Sequence, residues 1–276
     1  MDKLFDVSGK IAVITGAGGV LCSEIARTLA SRGVKVALLG RTLKNVQLVA
    51  DEINETGGSA SAYSCDVLSQ QQLQDTRLKV NQDLGVCDIL INGAGGNHPD
   101  ATTDSTVFKD TADIKGFFNL PVEAFKHTFD LNLIGTLLPI QTFAQDMVTK
   151  DHSVILNISS MSAVNPLTKV PAYSGAKAAV NNLTQWLATH FAPVNLRVNA
   201  IAPGFFLTKQ NKKLLTKDDG ELTLRARQII DHTPMGRFGN PEDLSGTVVW
   251  LCSEASKFVT GIVVPIDGGF NAYAGV

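Results

Sequence analysis

Three side chains that could move a proton stand in one stretch of the sequence. Tyr173 and Lys177 are four residues apart, so on a helix they project from the same face, one turn from each other. Ser160 lies thirteen residues before the tyrosine, just after the apolar run Val154–Ile158. Such a run predicts a buried strand, with the serine at its end. The stretch therefore combines a hydroxyl, a phenol and an ammonium group near the junction of a strand and a helix.

The chemistry that these groups suggest is proton transfer to or from a carbinol oxygen. A free phenol has a pKa near ~10, which is too high for a base at neutral pH. An ammonium group about 5 Å away favours the phenolate by roughly 3 kcal/mol, or about two pK units, at an effective dielectric constant near 20. We therefore expect Lys177 to lower the pKa of Tyr173 while Ser160 holds the substrate oxygen. A half-buried tyrosine with a lysine four residues away by chance is the alternative.

The composition is that of an ordinary globular chain. Its 276 residues suit one large domain or two small ones, with 44% apolar and 18% charged residues. A net charge of −2 gives no reason to expect nucleic acid or an anionic membrane as partner. We expect no membrane span and no signal peptide, because the sequence lacks the apolar runs that both require. Four scattered cysteines without metal-type spacing predict reduced thiols, no metal site and a cytoplasmic location.

A glycine cluster near the N-terminus predicts a dinucleotide site. The β-branched run Lys10–Thr15 reads as a buried strand, and a helical pattern begins just after Gly16-Ala-Gly18-Gly19. Glycines in this position let the backbone approach a pyrophosphate, and the helix N-terminus offers free N–H groups. A tight turn without a ligand is the alternative, but the order strand, glycine turn, helix favours nucleotide binding.

The end of the second predicted strand, Val34–Leu39, bears on which dinucleotide binds. An acidic residue at this point would bind the ribose hydroxyls of NAD. The sequence instead has Gly40 followed by Arg41, and a guanidinium suits a 2′-phosphate. NADP(H) is therefore favoured, with NAD(H) possible if Arg41 is only a solvated turn residue.

Buried strands alternate with helices along the rest of the chain, which predicts one doubly wound α/β domain over 1–276 with about seven parallel strands. Further strands are expected at Ser59–Cys65, Asp88–Ile91, Val154–Ile158, Leu196–Ile201 and Gly261–Ile266. A long loop near 97–120 and a polar lid near 205–233 interrupt this pattern. Asp66, at a strand end, could bind a ligand or cap the next helix.

The helix that starts at Pro121 carries an asparagine in its middle. Its apolar periodicity predicts that Val122, Phe125, Phe129 and Leu133 face inward. Asn132 lies on this helix although asparagine is unfavourable there, which invites a packing or functional explanation.

Taken together, these motifs resemble the short-chain dehydrogenase/reductase family over nearly the whole length. The Asn92-Gly-Ala-Gly95 turn is similar to the family's Asn-Asn-Ala-Gly motif, and Pro203-Gly204 with Thr208 is similar to its nicotinamide turn. The resemblance implies the catalytic residues Asn132, Ser160, Tyr173 and Lys177, with the asparagine holding a water in the proton relay. The implied cofactor-binding residues are Gly16, Gly18, Gly19, Val20, Leu21, Arg41, Asp66, Val67, Asn92, Gly93, Ala94, Gly95, Tyr173, Lys177, Pro203, Gly204 and Thr208.

Three features depart from the family pattern. Val20 and Cys22 stand where the usual loop has glycines, and Gly93 replaces the second asparagine of the Asn-Asn-Ala-Gly motif. The missing third glycine either loosens the grip on the cofactor or is compensated by a neighbouring glycine. The stretch between Gly95 and Asn132 is also longer than the family norm.

The length of the long loop and the amino-acid sequences of the two glycine-rich turns resemble those of a subgroup described as D-mannonate oxidoreductases or fructuronate reductases. This resemblance implies a small-molecule sugar-acid substrate, and it implies a homo-oligomer, tetramer or dimer. Candidates for substrate contacts are Asn97 and His98 in the long loop, Asn165, and Lys209 or Arg225 in the lid. The alternatives are the same chemistry on gluconate at carbon five, another polyol or an acyl-carrier ketone, and a non-catalytic cofactor-binding sensor.

Overall fold

Seven parallel strands form one sheet in the computed structural model, which describes residues 3–111, 113–207, 215–217 and 220–275. Their order is β3-β2-β1-β4-β5-β6-β7, so the order reverses between β1 and β4. A ligand in such a sheet binds outside the carboxyl ends of the strands at this reversal. The strands are β1 Ile11–Thr15, β2 Lys35–Gly40, β3 Ser59–Ser64, β4 Ile89–Asn92, β5 Val154–Ile158, β6 Arg197–Pro203 and β7 Val263–Ile266.

Helices cover both faces of the sheet and bury two apolar clusters, one on each side. The central strands are mostly apolar and almost fully buried because both of their faces are covered, and their few polar residues, such as Asn92 and Asn157, are buried as well. This confirms the predicted doubly wound α/β fold. The α-helices are α1 Val20–Ala30, α2 Leu43–Glu55, α3 Gln70–Asp83, α4 Val122–Phe129, α5 Gly135–Met147, α6 Pro171–Phe191, α7 Leu224–Asp231 and α8 Ser245–Cys252. No helix in these described ranges is both long enough and apolar enough to cross a membrane.

Helix α4 does not follow the predicted periodicity. Val122 was expected to face inward, but 66% of it is exposed, and the buried positions of the helix are Ala124 and Thr128. Ala124 and Thr128 are four residues apart and share the buried face, so Val122, two positions before Ala124, lies on the opposite side of the helix. A π-helical turn, Asp130–Ile134, then separates α4 from α5, and its extra residue shifts the face that later side chains present.

The stretch near 97–120 is a loop with two short 3₁₀ turns, Pro99–Ala101 and Phe117–Asn119. Its backbone is tied to itself where Asp104 N–H donates to the Lys115 carbonyl (2.9 Å). It is also tied to the segment before α6, where Thr103 N–H donates to the Lys169 carbonyl (2.9 Å). These bonds hold the loop beside the start of the helix that carries the tyrosine and the lysine.

The described part of the stretch near 205–233 contains α7 and packs around its own small apolar cluster. Leu215, Ala226 and Ile229 are buried there, and Phe205 packs against them. The described residues of this stretch therefore pack on one another. Whether it acts as a lid stays a prediction.

Candidate active site

A cavity of about 370 Å³ opens at the carboxyl ends of the strands, where the strand order reverses. Residues from four strand ends and from the N-terminal parts of α1 and α6 line it. The lining residues include Gly16, Gly19, Val20, Leu21, Gly93, Gly95, Ser160, Tyr173, Lys177, Pro203 and Gly204. Side chains that are far apart in the sequence therefore meet in one place, as a proton-transfer site next to a cofactor requires.

Ser160 is held at the end of β5 by a short 3₁₀ turn. Its side-chain oxygen accepts hydrogen bonds from the Ser162 backbone N–H (3.2 Å) and the Ser162 hydroxyl (3.0 Å). Because both bonds are accepted, the Ser160 hydroxyl proton remains available to donate. The serine is 7% exposed, so its orientation is fixed by the protein rather than by water.

Tyr173 and Lys177 project from the first two turns of α6, which begins with Pro171 at its first position. The Lys177 Nζ atom lies 5.7 Å from the centre of the Tyr173 ring and donates a hydrogen bond to the Ile158 carbonyl (2.7 Å). The predicted helical spacing is therefore present. Proline at this position leaves no intrahelical hydrogen bond unmade, which suits a helix start.

The pKa of Tyr173 shifts in the direction opposite to the sequence-based expectation. Burial raises the pKa of the phenol, and a hydrogen bond with Ser160 only partly offsets that effect. Burial also lowers the pKa of Lys177 to about 8, so its ammonium form is itself disfavoured. The expectation failed because the sequence gives the spacing of two groups but not the desolvation that each suffers.

Asn132 lies inside the π-helical turn and connects that turn to the loop after β4. Its Nδ2 donates to the carbonyls of Gly96 (2.7 Å) and Thr128 (2.7 Å), and its Oδ1 accepts from the Gly96 N–H (3.1 Å). A Cβ on Gly95 would lie 2.7 Å from this Oδ1. The asparagine thus fixes the backbone at the floor of the cavity, and π-helical turns are frequent at functional sites.

The glycine turn after β1 has the features that a dinucleotide phosphate needs. Gly16 has φ of +65°, and a Cβ there would lie 2.8 Å from the backbone of Gly93 and Ala94. The Thr15 hydroxyl oxygen accepts from the N–H groups of Gly93 (3.1 Å) and Ala94 (3.2 Å), which joins the two turns. Helix α1 begins after Gly19, which has no side chain to cap the first N–H groups. These N–H groups are suited to bind an anion, so the site fits a dinucleotide.

Two departures from the family pattern occupy the same space. A Cβ on Gly93 would lie 2.0 Å from the Cys22 sulfur, which no atom pair tolerates. Cys22 is 4% exposed, and burial raises the pKa of its thiol to about 12, so it is an inert packing group. The cysteine that replaces a glycine on α1 therefore fills the place that a side chain at position 93 would take. Whether the grip on the cofactor is loosened or compensated stays a prediction.

The remaining cofactor-binding candidates lie around the rim of the cavity or behind it. Gly18 faces Asn45, and a Cβ there would lie 3.0 Å from the Asn45 Cβ. Arg41 is exposed at the end of β2. Val67 is buried, and its Cγ2 would lie 3.0 Å from a Cβ on Gly135.

Asp66 and Asn92 each have one side-chain polar atom in a hydrogen bond within the protein. The Asp66 Oδ1 accepts from the Leu68 N–H (3.0 Å), and the cap of α3 is Ser69. Asn92 Nδ2 donates to Asn157 Oδ1 (2.9 Å) in the buried layer behind the cavity, while Asn92 Oδ1 has no partner there. Their cofactor contacts stay predictions.

The candidate substrate residues fall in two groups. Asn97 is engaged in its own loop, where its Nδ2 donates to the Thr102 hydroxyl (2.8 Å), and His98 Nδ1 accepts from the Asp100 N–H (3.1 Å). Asn165 and Arg225 instead line a second cavity. Thr208 and Lys209 lie outside the described residues.

Several residues at the site were not predicted, and two of them, Ser162 and Phe205, bear on its chemistry. Ser162 orients Ser160 through the two hydrogen bonds given above, and the serine-rich run after β5 was the only sequence signal for it. Phe205 lines both the main cavity and the second one. Nothing in the sequence around Phe205, which directly follows Pro203-Gly204, indicated that it would line two cavities.

Comparison with known proteins agrees with this geometry. A family model described as enoyl-(acyl carrier protein) reductase matches residues 16–271. The uncharacterized oxidoreductase UxuB of Bacillus subtilis is 52% identical, over 98% of this chain and 98% of its own. The 2-dehydro-3-deoxy-D-gluconate 5-dehydrogenase of Formosa agariphila is 32% identical, over 99% of this chain and 96% of its own.

A crystal structure from Haemophilus influenzae, named provisionally as a D-mannonate oxidoreductase and containing bound NAD, superimposes with a TM-score of 0.95. It is 49% identical, and the match covers 98% of each chain. Fold, site and comparisons define an NAD(P)-dependent oxidoreductase that acts on a CH–OH group. The chain belongs to the short-chain dehydrogenase/reductase family.

Proposed function

We propose that this enzyme transfers a hydride between NAD(P)H and the keto group of a sugar acid, interconverting fructuronate and D-mannonate. The observation that carries the chemistry is the meeting of Ser160, Tyr173 and Lys177 in one cavity beside the glycine turns. The sugar-acid substrate is supported by similarity to the Haemophilus influenzae protein, which is 49% identical over nearly the full length.

Each residue of the cluster has a proposed role in the reduction of the ketone. The bound dinucleotide supplies the hydride to the carbonyl carbon. Ser160 donates a hydrogen bond to the carbonyl oxygen, because its own oxygen is already occupied by two donors from Ser162. Tyr173 gives its proton to the same oxygen, which becomes the hydroxyl of the product. In the oxidation direction the tyrosine takes this proton back.

Lys177 and Asn132 have supporting roles in this proposal. Lys177 donates to the Ile158 carbonyl and lies over the tyrosine ring, so it has N–H groups left for a cofactor ribose and stabilises the phenolate when charged. Asn132 holds the Gly96 backbone and, by the family resemblance, a water in the proton relay. The raised pKa of the phenol suits its role as proton donor in the reduction.

The choice between the two dinucleotides depends on Arg41 in our proposal. The end of β2 has no carboxylate to bind the 2′-hydroxyl of NAD, and the exposed guanidinium next to it suits a 2′-phosphate. We therefore propose that NADP(H) is preferred. NAD(H) also binds in this proposal, in keeping with the NAD in the Haemophilus influenzae structure.

We also propose a homo-oligomer, tetramer or dimer, built through α5 and α6. An open apolar cavity lies between these helices, lined by Ile140, Leu183, Phe191 and Trp186, and Trp186 is 59% exposed. A second copy covering this surface would bury the tryptophan. Light scattering on the purified protein measures the number of copies, and a monomer at micromolar concentration would contradict the proposal.

Initial rates with fructuronate test the proposed function, with NADH and NADPH measured in parallel. Oxidation of either cofactor in the presence of fructuronate supports a sugar-acid substrate. The Tyr173→Phe substitution should abolish this oxidation while leaving cofactor binding nearly intact. Gluconate oxidised at carbon five is the second candidate, favoured by the Formosa agariphila relative. A panel with 5-ketogluconate and 2-dehydro-3-deoxygluconate-type substrates separates the two.

A further inference from the structure

A second cavity, of about 470 Å³, adjoins the catalytic cavity at Phe205. Phe205 lines both cavities, and its ring packs edge-on against Phe270 with the centroids 5.4 Å apart. The Phe205 side chain therefore separates the second cavity from the cavity that contains Tyr173 and Ser160. A substrate with its reacting carbon in the first cavity can extend its other end towards the second.

The second cavity is lined by basic side chains from separate parts of the chain. Lys169 comes from the segment before α6, Arg225 from α7, and His232 from the residue after α7. None of the lining residues is acidic, and no acidic side chain in the described ranges forms an ion pair with Lys169 or Arg225. The nearby Glu221 pairs instead with Lys217 (3.1 Å) and Arg227 (3.6 Å). Among the residues that the structure describes, Lys169 and Arg225 thus have no carboxylate partner.

The groups are held by backbone contacts rather than by each other. Lys169 has φ of +75°, and its carbonyl accepts from the Thr103 N–H of the long loop (2.9 Å). His232 Nδ1 lies 2.8 Å from the Gln228 carbonyl, which can only accept, so Nδ1 carries the proton and Nε2 is free to bind a ligand. Asn165 Nδ2 donates to Asn271 Oδ1 (2.9 Å) and leaves its own carbonyl oxygen for a hydroxyl. The neutral His232 Nε2 and the Asn165 Oδ1 are acceptors for substrate hydroxyls, and the Lys169 and Arg225 side chains are the donors for an anion, so together they suit an organic anion with neighbouring hydroxyls.

We propose that this cavity binds the carboxylate of the substrate, with Arg225 as its principal partner and with Lys169 and His232 beside it. This inference rests on the proposed function, because it assumes that the substrate is an acid with its carboxylate several bonds from the reacting carbon. The planar guanidinium of Arg225 binds a carboxylate through two parallel hydrogen bonds. The inference accounts for why the long loop and α7, which lie far apart in the sequence, meet on one cavity.

Fructose provides the matched substrate, because it carries a CH₂OH group where fructuronate carries its carboxylate. We expect Arg225→Gln to lower kcat/KM for fructuronate about tenfold to a hundredfold, chiefly through KM, and so to lower the ratio of kcat/KM for fructuronate to kcat/KM for fructose. The control is Arg227→Gln, two residues along α7, which removes an exposed arginine that does not line the cavity. It should leave both substrates unaffected. Both arginines are exposed, so neither variant should impair folding.

The outcomes separate this inference from the proposed function. If the wild-type enzyme reduces fructuronate and Arg225→Gln with Lys169→Gln reduces it equally well, the carboxylate site is wrong and the function stands. If the wild-type enzyme does not reduce fructuronate, the function is wrong, and calorimetric titration of D-gluconate into the enzyme with NADH tests the site. Weaker binding in Arg225→Gln would then support the site. Equal binding, or none to the wild-type enzyme, would overturn it.

Discussion

The packing of Cys22 against Gly93 predicts that substitutions at these positions are strongly coupled. A Cβ at position 93 would lie 2.0 Å from the Cys22 sulfur, 3.1 Å from the Thr15 carbonyl oxygen and 3.5 Å from Ile158 Cγ1. Optimal separations between carbon atoms are about 3.5–4.0 Å, so only the sulfur contact is prohibitive. Gly93→Ala alone should therefore lower the free energy of unfolding by about 1–3 kcal/mol or more.

Removing the sulfur should make room for the new methyl group. Cys22→Ala keeps the helix propensity of α1 and leaves a small void, which should cost about 1 kcal/mol. In the double variant the alanine at 93 occupies that void. We expect its destabilisation to be at least about 1 kcal/mol smaller than the sum of the single effects, and we expect dinucleotide affinity lost in Gly93→Ala to recover in part.

Urea unfolding of the four proteins in the cycle measures the coupling, and fluorescence titration with NADPH measures the recovery. The control cycle combines Gly93→Ala with Cys252→Ala, which is equally buried but belongs to α8. This control pair should be additive. Additive energies in the Cys22 cycle would refute the idea that the two departures from the family pattern compensate each other.

Three further perturbations test the site. Arg41→Ala should raise KM for NADPH about tenfold with little change for NADH, measured by initial rates; equal effects on both cofactors would remove Arg41 from 2′-phosphate recognition. Ser162→Ala should lower kcat about threefold to tenfold with KM nearly unchanged, and Ser162→Thr should restore it, because only the hydrogen bond to Ser160 is lost. The folded-state pKa of Lys177 is depressed to about 8 from 10.5, so its burial penalty is fully present below pH 8 and is relieved between pH 8 and 10.5. The stability difference between wild-type enzyme and Lys177→Met should shift in favour of the wild type as pH rises through that window; a flat difference in urea unfolding would contradict the depressed pKa.

The sheet could be predicted from the sequence because parallel strands buried on both faces form short runs of mainly apolar residues, as in Ile89–Asn92 and Val154–Ile158. The proximity of Tyr173 and Lys177 could also be predicted from the sequence, because residues four apart on a helix share a face. Both depend on local pattern alone. The described structure confirms both predictions.

The predictions that failed concern tertiary packing, which the local spacing of apolar and polar residues does not determine. Val122 was expected to face inward, but the buried face of α4 is set by Ala124 and Thr128, and Val122 lies on the opposite side of the helix. The pKa of Tyr173 rises because of burial, which spacing cannot reveal. The second cavity needs Lys169 and His232 to meet across the fold, and nothing near either residue in the sequence signals the other.

The central claim is that Tyr173 exchanges the proton during hydride transfer to a sugar-acid ketone. The measurement that tests it most directly is the rate of NADPH and NADH oxidation with fructuronate by wild-type enzyme and Tyr173→Phe, with cofactor affinity measured for both proteins. We predict turnover by the wild type and a loss of kcat of about a hundredfold to ten-thousandfold in Tyr173→Phe, with cofactor affinity nearly unchanged. Comparable turnover by Tyr173→Phe would contradict the proton-transfer mechanism, and no turnover by a wild-type enzyme that binds cofactor would contradict the substrate.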